Sequence, residues 1–159
     1  MSKYLFVVQG EGRGHLTQAI ALHEILTNAG HQVAAVLVGS TNGREIPDFF
    51  KEKVQTDLQT FESPSLVYGK GKSVQLFQTI FKQLLRFRAY WASTKTLHKA
   101  VEVHQPDVIV NFYDMVCGFY YLRFRSKIPC VCIGHQYLLL NKHFKSIKQK
   151  NNRAFFAKC

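Results

Sequence analysis

The first part of the chain alternates between continuous apolar runs and a helical apolar pattern. Residues 4–8 form an unbroken apolar run, which is typical of a strand buried on both faces of a parallel sheet. From Leu16 to Leu26 apolar residues recur every three or four positions, which predicts a helix that ends near Gly30. A second apolar run over 33–38 predicts another buried strand. Residues 1–40 therefore predict one strand–helix–strand unit.

The remaining sequence continues this alternation of strands and helices. The apolar periodicity over 74–104 fits either one long helix or two helices joined near Tyr90. The other predicted elements are a short helix over 47–53, a strand over 54–61, a loop over 62–73, a strand over 108–110, a helix over 114–125 and a strand over 130–133. Strands that alternate with helices predict an α/β fold with a doubly wound, mostly parallel, Rossmann-like sheet.

Composition narrows the class of protein and of partner. The chain has 159 residues, a length that fits a single folded domain. Of these residues 47% are hydrophobic, and this content excludes general disorder. Lys and Arg number 21 against 10 Asp and Glu, and the net charge of +11 favours an anionic partner. The candidates are a phosphorylated ligand, anionic lipid and nucleic acid. Nucleic acid is disfavoured because the sequence contains no recognisable nucleic-acid-binding module.

Cysteine content and the N-terminus bear on the cellular compartment. Four cysteines without a CxxC pair do not predict a disulfide scaffold, so we expect a reducing compartment. Cys130 and Cys132 are expected in the core rather than on a metal, and we predict neither a metal site nor a cofactor. The apolar run that starts at Tyr4 is too short for a secretory or membrane-spanning segment. We therefore expect a cytoplasmic protein that meets a membrane, if at all, at its inner face.

A glycine-rich loop joins the first predicted strand to the first helix. Gly10, Gly12 and Gly14 permit a tight turn and leave amide N–H groups accessible at the helix N-terminus, where the dipole favours phosphate. Arg13 could pair with that phosphate, whereas Glu11 would repel it. The alternative is a tight turn that packs closely on the sheet. A dinucleotide site is disfavoured because His15 replaces the last glycine of that motif, and no Walker sequence for ATP is present.

His15 is the predicted catalytic residue of this loop. A helix N-terminus disfavours a charged imidazole, so a neutral His15 could accept a proton from a substrate hydroxyl as a general base. The alternative is a structural His that caps the helix or binds a neighbouring backbone group. The sequence leaves both interpretations open.

Polar residues follow the fourth and fifth predicted strands. Asp114 comes after the fourth strand, and His135 and Gln136 come after the fifth. In open α/β sheets, ligands bind at the carboxyl ends of the strands, so we predict that these three residues contact substrate. For Asp114 the alternative is the N-cap of the following helix.

The long helical segment combines basic and aromatic side chains. Such a combination could bind an anionic lipid surface, and the alternative is a solvated helix flank. The residues are Lys82, Arg86, Arg88, Lys95 and Lys99, interleaved with Phe81, Phe87, Tyr90 and Trp91.

Two stretches resemble the N-terminal domain of GT-B glycosyltransferases of the family 28 type. They are GEGRGHLTQAIALHEILTNAGHQV, residues 10–33, and PDVIVNFYDMVCGFYYLRFRSKIPCVCIGHQ, residues 106–136. The resemblance implies a domain that binds a sugar or lipid-linked sugar acceptor, with the glycine loop facing the acceptor diphosphate and His15 as the base. It adds Gly118 and Gln136 as weaker matches to the family's acceptor-site residues.

The resemblance also implies a partner domain. In that family the nucleotide-sugar donor is bound mainly by a second Rossmann-like domain, for which 159 residues leave no room. This chain alone is therefore expected to be inactive. Two other functions stay open: a non-catalytic scaffold that recruits a donor-binding subunit to membrane, and a small nucleotide-binding or epimerase-like protein.

The last part of the sequence predicts a basic amphipathic helix after Asn141. No glycine, proline or polar tail closes that helix before Cys159. We therefore expect a truncated single chain, and the alternative is one subunit of a split enzyme.

Overall fold

The computed structural model describes residues 1–41, 45–64 and 76–134, with the side chains of 76–80 and 82 excepted. The elements are β1 (Lys3–Gln9), α1 (Arg13–Asn28), β2 (Gln32–Ser40), α2 (Asp48–Lys53), β3 (Asp57–Glu62), α3 (Leu76–His104), β4 (Val108–Phe112), α4 (Met115–Phe124) and β5 (Cys130–Cys132). Most of the predicted loop over 62–73, the basic helix after Asn141, and the candidate residues His135 and Gln136 lie outside the described residues.

The strands form one five-stranded sheet in the order β3-β2-β1-β4-β5, and every pairing is parallel. The central strand β1 pairs with β2 on one side and with β4 on the other; Leu5, for example, lies opposite Ala35 and Ile109. The predicted doubly wound α/β fold is confirmed.

Alternate residues of the strands feed two hydrophobic cores on opposite faces of the sheet. Leu5 and Val7 pack with residues of α3 and α4, whereas Phe6 and Val8 pack with residues of α1 and α2. Because side chains alternate across a strand, a strand between two helical layers must be apolar at every position. This explains the unbroken apolar runs in β1 and β2.

Helix α1 begins earlier than its apolar periodicity indicates. The periodic residues start at Leu16, but the helix starts at Arg13 after an extended Gly12. Gly14 and His15 therefore belong to the first helical turn rather than to the loop. The helix ends as predicted, with Gly30 in the left-handed conformation at φ 79°.

The structure shows how residues 47–104, in the middle of the chain, differ from or agree with the predicted elements. Helix α3 is continuous from Leu76 to His104, so the interpretation as one helix is confirmed. Tyr90, named above on a lipid-facing surface, is instead 3% exposed and belongs to the core. Strand β3 begins at Asp57 rather than at Val54, because the Val54 N–H donates to the Phe50 carbonyl and closes α2.

Candidate active site

The candidate site lies where the chain winding reverses. Strands β1 and β4 are neighbours, but α1 leaves β1 toward one face of the sheet and α4 leaves β4 toward the other. Parallel α/β sheets open a crevice at such a reversal, beyond the carboxyl ends of the strands. The glycine loop and the turn after β4 both lie at this edge.

His15 and Tyr113 meet across this crevice. Their rings stack with centroids 5.9 Å apart and planes inclined by 15°. His15 is half-buried on the first turn of α1, and Tyr113 is 38% exposed in the turn after β4. The sequence predicted a role for His15 but gave Tyr113 none. The one feature of the sequence that could have indicated a role for Tyr113 is its position directly after a buried strand.

The three glycines of the loop have different structural roles. The Gly10 N–H donates to the Gly39 carbonyl at 2.8 Å, and a Cβ on Gly10 would lie 2.6 Å from that oxygen. Gly10 therefore serves the close packing of the turn on β2. A Cβ on Gly12 or Gly14 would meet no atom within 4 Å among the described residues. These two glycines leave the start of α1 open.

The open start of α1 is chemically suited to an anion. Gly12 occupies the N-cap and has no side chain to accept a hydrogen bond from the first-turn amides. Such amides, aligned with the helix dipole, bind phosphate or carboxylate oxygens. The neighbouring Arg13 is exposed, and its guanidinium lies 5.8 Å from the centroid of the Phe49 ring.

Asp114 is buried and bonded inside the protein. Its Oδ1 accepts from the Val116 N–H at 2.8 Å, which makes it the N-cap of α4. Its Oδ2 accepts from the Ser63 hydroxyl at 2.5 Å. Burial raises the pKa of this carboxyl to about 6, while the hydrogen bonds from Ser63 and from the start of α4 oppose that rise. The N-cap interpretation of Asp114 is confirmed, and its contact with substrate stays a prediction.

Two residues that contact Asp114, Ser63 and Gly39, were not predicted from the sequence. Ser63 follows β3 and is 2% exposed. Gly39, near the end of β2, faces the carboxylate closely enough that any Cβ there would overlap it and would lie 2.6 Å from the Ser63 Cβ. Three strand ends thus converge on one carboxyl group. No local sequence pattern predicts this contact, because Gly39, Ser63 and Asp114 lie far apart in the sequence.

The turn between β4 and α4 is fixed by Asn111. Its side-chain oxygen accepts from the Asp114 N–H at 2.8 Å, and its amide donates to the Asp114 carbonyl at 3.0 Å. Tyr113, inside this turn, has a φ of 62°. Gly118 lies on the exposed side of α4, where a Cβ would meet no described atom within 4 Å.

The cysteines differ from their predicted places. Cys130 and Cys132 are exposed, and Cys117 is the buried one. The prediction of a core position for Cys130 and Cys132 is wrong, because β5 is the edge strand of the sheet among the described residues and pairs there with β4. Among the described residues, no group of three or more His, Cys, Asp or Glu side chains could hold a metal ion.

Comparison with known proteins identifies the family. Residues 2–159 match the sequence family described as Glycosyl transferase family 1. The chain belongs to that family. An uncharacterized glycosyltransferase of Methanosarcina acetivorans is 29% identical over 140 residues, which cover 85% of this chain and 32% of that protein.

Solved glycosyltransferases share the fold of this family 1 chain. Acinetobacter baumannii MurG superposes with a TM-score of 0.55 at 18% identity, over 83% of this chain and 34% of that one. The spinosyn rhamnosyltransferase SpnG, solved with thymidine diphosphate, has a TM-score of 0.50 at 16% identity, over 82% and 34%. The resemblance to GT-B glycosyltransferases is confirmed. The chain spans about a third of the length of these relatives.

A second surface of this glycosyl transferase chain runs along α3. The exposed side is apolar near the start of the helix, at Phe81, Leu84 and Leu85, and basic further on, at Arg88 and Lys95. A groove of about 390 Å³ opens beside the basic part; it is lined by Phe87, Arg88, Trp91, Ala92, Lys95 and Arg123.

One further residue of the predicted basic and aromatic set forms an ion pair. Arg86 pairs with Glu62, and the Lys82 side chain lies outside the described residues. In the part of the chain that the structure describes, no helix is both long and apolar enough to cross a membrane.

Proposed function

We propose that this chain is the acceptor-binding half of a glycosyltransferase that moves a sugar from a nucleotide-sugar donor to an acceptor hydroxyl. The observation that carries the proposal is the place of His15. It stands at the reversal point of the sheet in a member of a glycosyltransferase family, beside an open helix N-terminus. Ligands of open α/β sheets bind at this point.

The proposed reaction uses His15 as the general base. An imidazole nitrogen takes the proton of the acceptor hydroxyl as its oxygen attacks the anomeric carbon of the donor sugar. The bond between that carbon and the nucleoside diphosphate breaks, and the leaving group keeps the electron pair. Attack from the side opposite the leaving group inverts the anomeric centre.

The acceptor is proposed to carry a phosphate, as in a lipid-linked sugar. The open amides at Gly12 and Gly14 and the neighbouring Arg13 guanidinium supply the positive environment for it. Gly10 contributes by holding the loop against β2. Further acceptor contacts are assigned to Asp114, Gly118, His135 and Gln136.

The donor is proposed to bind mainly to a second domain. The chain spans about a third of the length of the relatives that it matches, which supports a donor-binding domain outside these 159 residues. That protein is either a continuation of the same polypeptide or a separate subunit. Sequencing the gene beyond the codon for Cys159 distinguishes the two, and we expect an open frame that encodes another α/β domain.

The test of the reaction is His15→Ala in the complete enzyme, with His23→Ala as the matched control two turns further along α1. Turnover is measured as nucleoside diphosphate release from a panel of UDP- and dTDP-hexoses. Loss of a general base should lower kcat by about 10²- to 10⁴-fold, while binding of UDP or dTDP stays unchanged. Near-normal turnover of His15→Ala would remove His15 from the mechanism.

A second candidate function is recruitment to an anionic membrane on the cytoplasmic side. The exposed side of α3 favours it, because Leu84 is 73% exposed and basic residues follow on the same side of the helix. Apolar side chains can enter the lipid interface while Arg88 and Lys95 meet its phosphates. This surface would bring either the transferase to a lipid-linked acceptor or a non-catalytic scaffold to its partner subunit.

Vesicle binding tests this surface. The double variant Arg88→Glu/Lys95→Glu should weaken binding to phosphatidylglycerol vesicles at least about tenfold. The control Lys51→Glu/Lys53→Glu, on α2 at the other face of the sheet, should not. Equal binding by both double variants would contradict the proposal. Membrane binding together with full turnover of His15→Ala would favour the scaffold.

A further inference from the structure

Tyr113 has an uncommon backbone conformation for its residue type. Its φ of 62° lies in the left-handed region, where the Cβ of an L residue crowds the following carbonyl. Glycine and asparagine adopt this conformation more readily than a bulky aromatic residue. Residues kept in such conformations cluster at functional sites, so the position calls for a physical reason.

Neighbouring hydrogen bonds hold Tyr113 in this conformation. Both polar atoms of the Asn111 side chain bond the backbone of Asp114, so the turn is clamped on either side of Tyr113. Asp114 is itself tied to the start of α4 by Val116 and to the end of β3 by Ser63. The strained residue is therefore supported by a buried network that reaches another strand.

Burial does not explain why a tyrosine occupies this position. Its side chain stays 38% exposed, and it belongs to neither hydrophobic core. The turn instead places the ring against His15 in an offset stack, with the two planes nearly parallel at 15°. An imidazole on the first turn of a helix can rotate about two side-chain bonds, and an aromatic ring stacked on it limits that rotation.

We propose that Tyr113 is a positioning residue that fixes the plane of the His15 imidazole. The catalytic consequence rests on the proposed function: a fixed plane keeps one ring nitrogen aimed at the acceptor hydroxyl. Small displacements of a catalytic group are costly for rate, because the reacting atoms must be aligned before the proton moves. The ring of Tyr113 is the feature that this role requires.

The test compares three substitutions at Tyr113. Tyr113→Phe keeps the ring, whereas Tyr113→Gly and Tyr113→Asn remove it and also suit the left-handed backbone. Gln105→Gly is the matched control. Gln105 is exposed, has a φ of 47°, and precedes β4 at the opposite edge of the sheet. Glycine and asparagine suit the left-handed backbone, so we expect these variants to stay folded, and thermal unfolding of all four variants checks this.

The first readout is the NMR spectrum of the His15 imidazole in the full chain, assigned with His15→Gln. The ring current of a neighbouring aromatic ring changes the resonance positions of the imidazole protons, so Tyr113→Gly and Tyr113→Asn should shift them. Tyr113→Phe and Gln105→Gly should leave them in place. Unchanged His15 resonances in Tyr113→Gly would overturn the proposal, whatever the enzyme catalyses.

The second readout is transfer by the complete enzyme with UDP- and dTDP-hexoses. Removing the ring should lower kcat by about 10- to 100-fold with KM nearly unchanged, and Tyr113→Phe should restore the rate. A full kcat for Tyr113→Gly would also overturn the proposal. If His15→Ala retains turnover, the proposed function fails, while the NMR comparison still decides whether Tyr113 orients His15.

Discussion

Asp114→Asn should remove a dependence of folding stability on pH that the buried carboxyl imposes. Asn has the same shape, so it can still accept from the Val116 N–H and can donate to the Ser63 hydroxyl. The substitution therefore removes ionisation while keeping the N-cap. Asp114 is only 2% exposed, so its charged form lacks hydration.

The magnitude follows from the difference between the folded and unfolded pKa of Asp114. Burial raises the folded pKa to about 6 from an ordinary value of 3.8. The folded state therefore holds this proton more tightly than the unfolded state. The contribution to stability is fully present below pH 3.8 and is lost as the pH rises through 6. Between pH 4 and pH 8 the loss is about 2.4 kcal/mol, at about 1.4 kcal/mol per unit of pKa difference.

Urea unfolding of both proteins at several pH values between 4 and 8 measures this effect. Other titrating groups cancel in the difference between the two free energies of unfolding. That difference should move in favour of Asp114→Asn by about 2.4 kcal/mol as the pH rises. Asp48→Asn is the control, because its side chain is 88% exposed on α2. A pH-independent difference for Asp114→Asn, or one that moves toward the parent protein, would refute the argument.

Three further substitutions have expected outcomes. Ser63→Ala removes a hydrogen bond that lowers the pKa of Asp114, so the midpoint of the Asp114 carboxyl titration, followed by carbon NMR, should rise above about 6; an unchanged midpoint would contradict the assigned contact. Gly10→Ala should destabilise the protein by about 1–3 kcal/mol in thermal unfolding, because the new Cβ collides with the Gly39 carbonyl. Gly14→Ala, where space is open, should stabilise α1 by about 0.5–1 kcal/mol, and equal losses for both variants would contradict this distinction.

Much of the fold could be predicted from local patterns. The unbroken apolar runs located β1 and β2, and helical spacing with Gly30 located the end of α1. The start of α1 could not be predicted from periodicity, since the first turn carries no periodic apolar residue. The long periodicity of α3 left its continuity open and placed Tyr90 on the wrong side.

The candidate site could be predicted only where a chemically reactive side chain lies within a recognisable local sequence pattern. The spacing of the glycine loop drew attention to His15, and its position after a strand indicated the carboxyl edge. Gly39 and Ser63 could not be predicted as site residues, because their role is to contact Asp114, which is 51 residues beyond Ser63. The left-handed Tyr113 escaped notice because its conformation is imposed by a network rather than by its own preference.

The sequence by itself determined the alternation of strands and helices, since each element is specified by its own spacing of apolar side chains. It also determined the net positive charge and the residues available for chemistry. The tertiary structure decided the strand order, and with it which loops become neighbours. Parallel pairing of β1 with β4 brings His15 and Tyr113 together across about a hundred residues of chain, and only hydrogen bonds and packing between distant strands specify that contact.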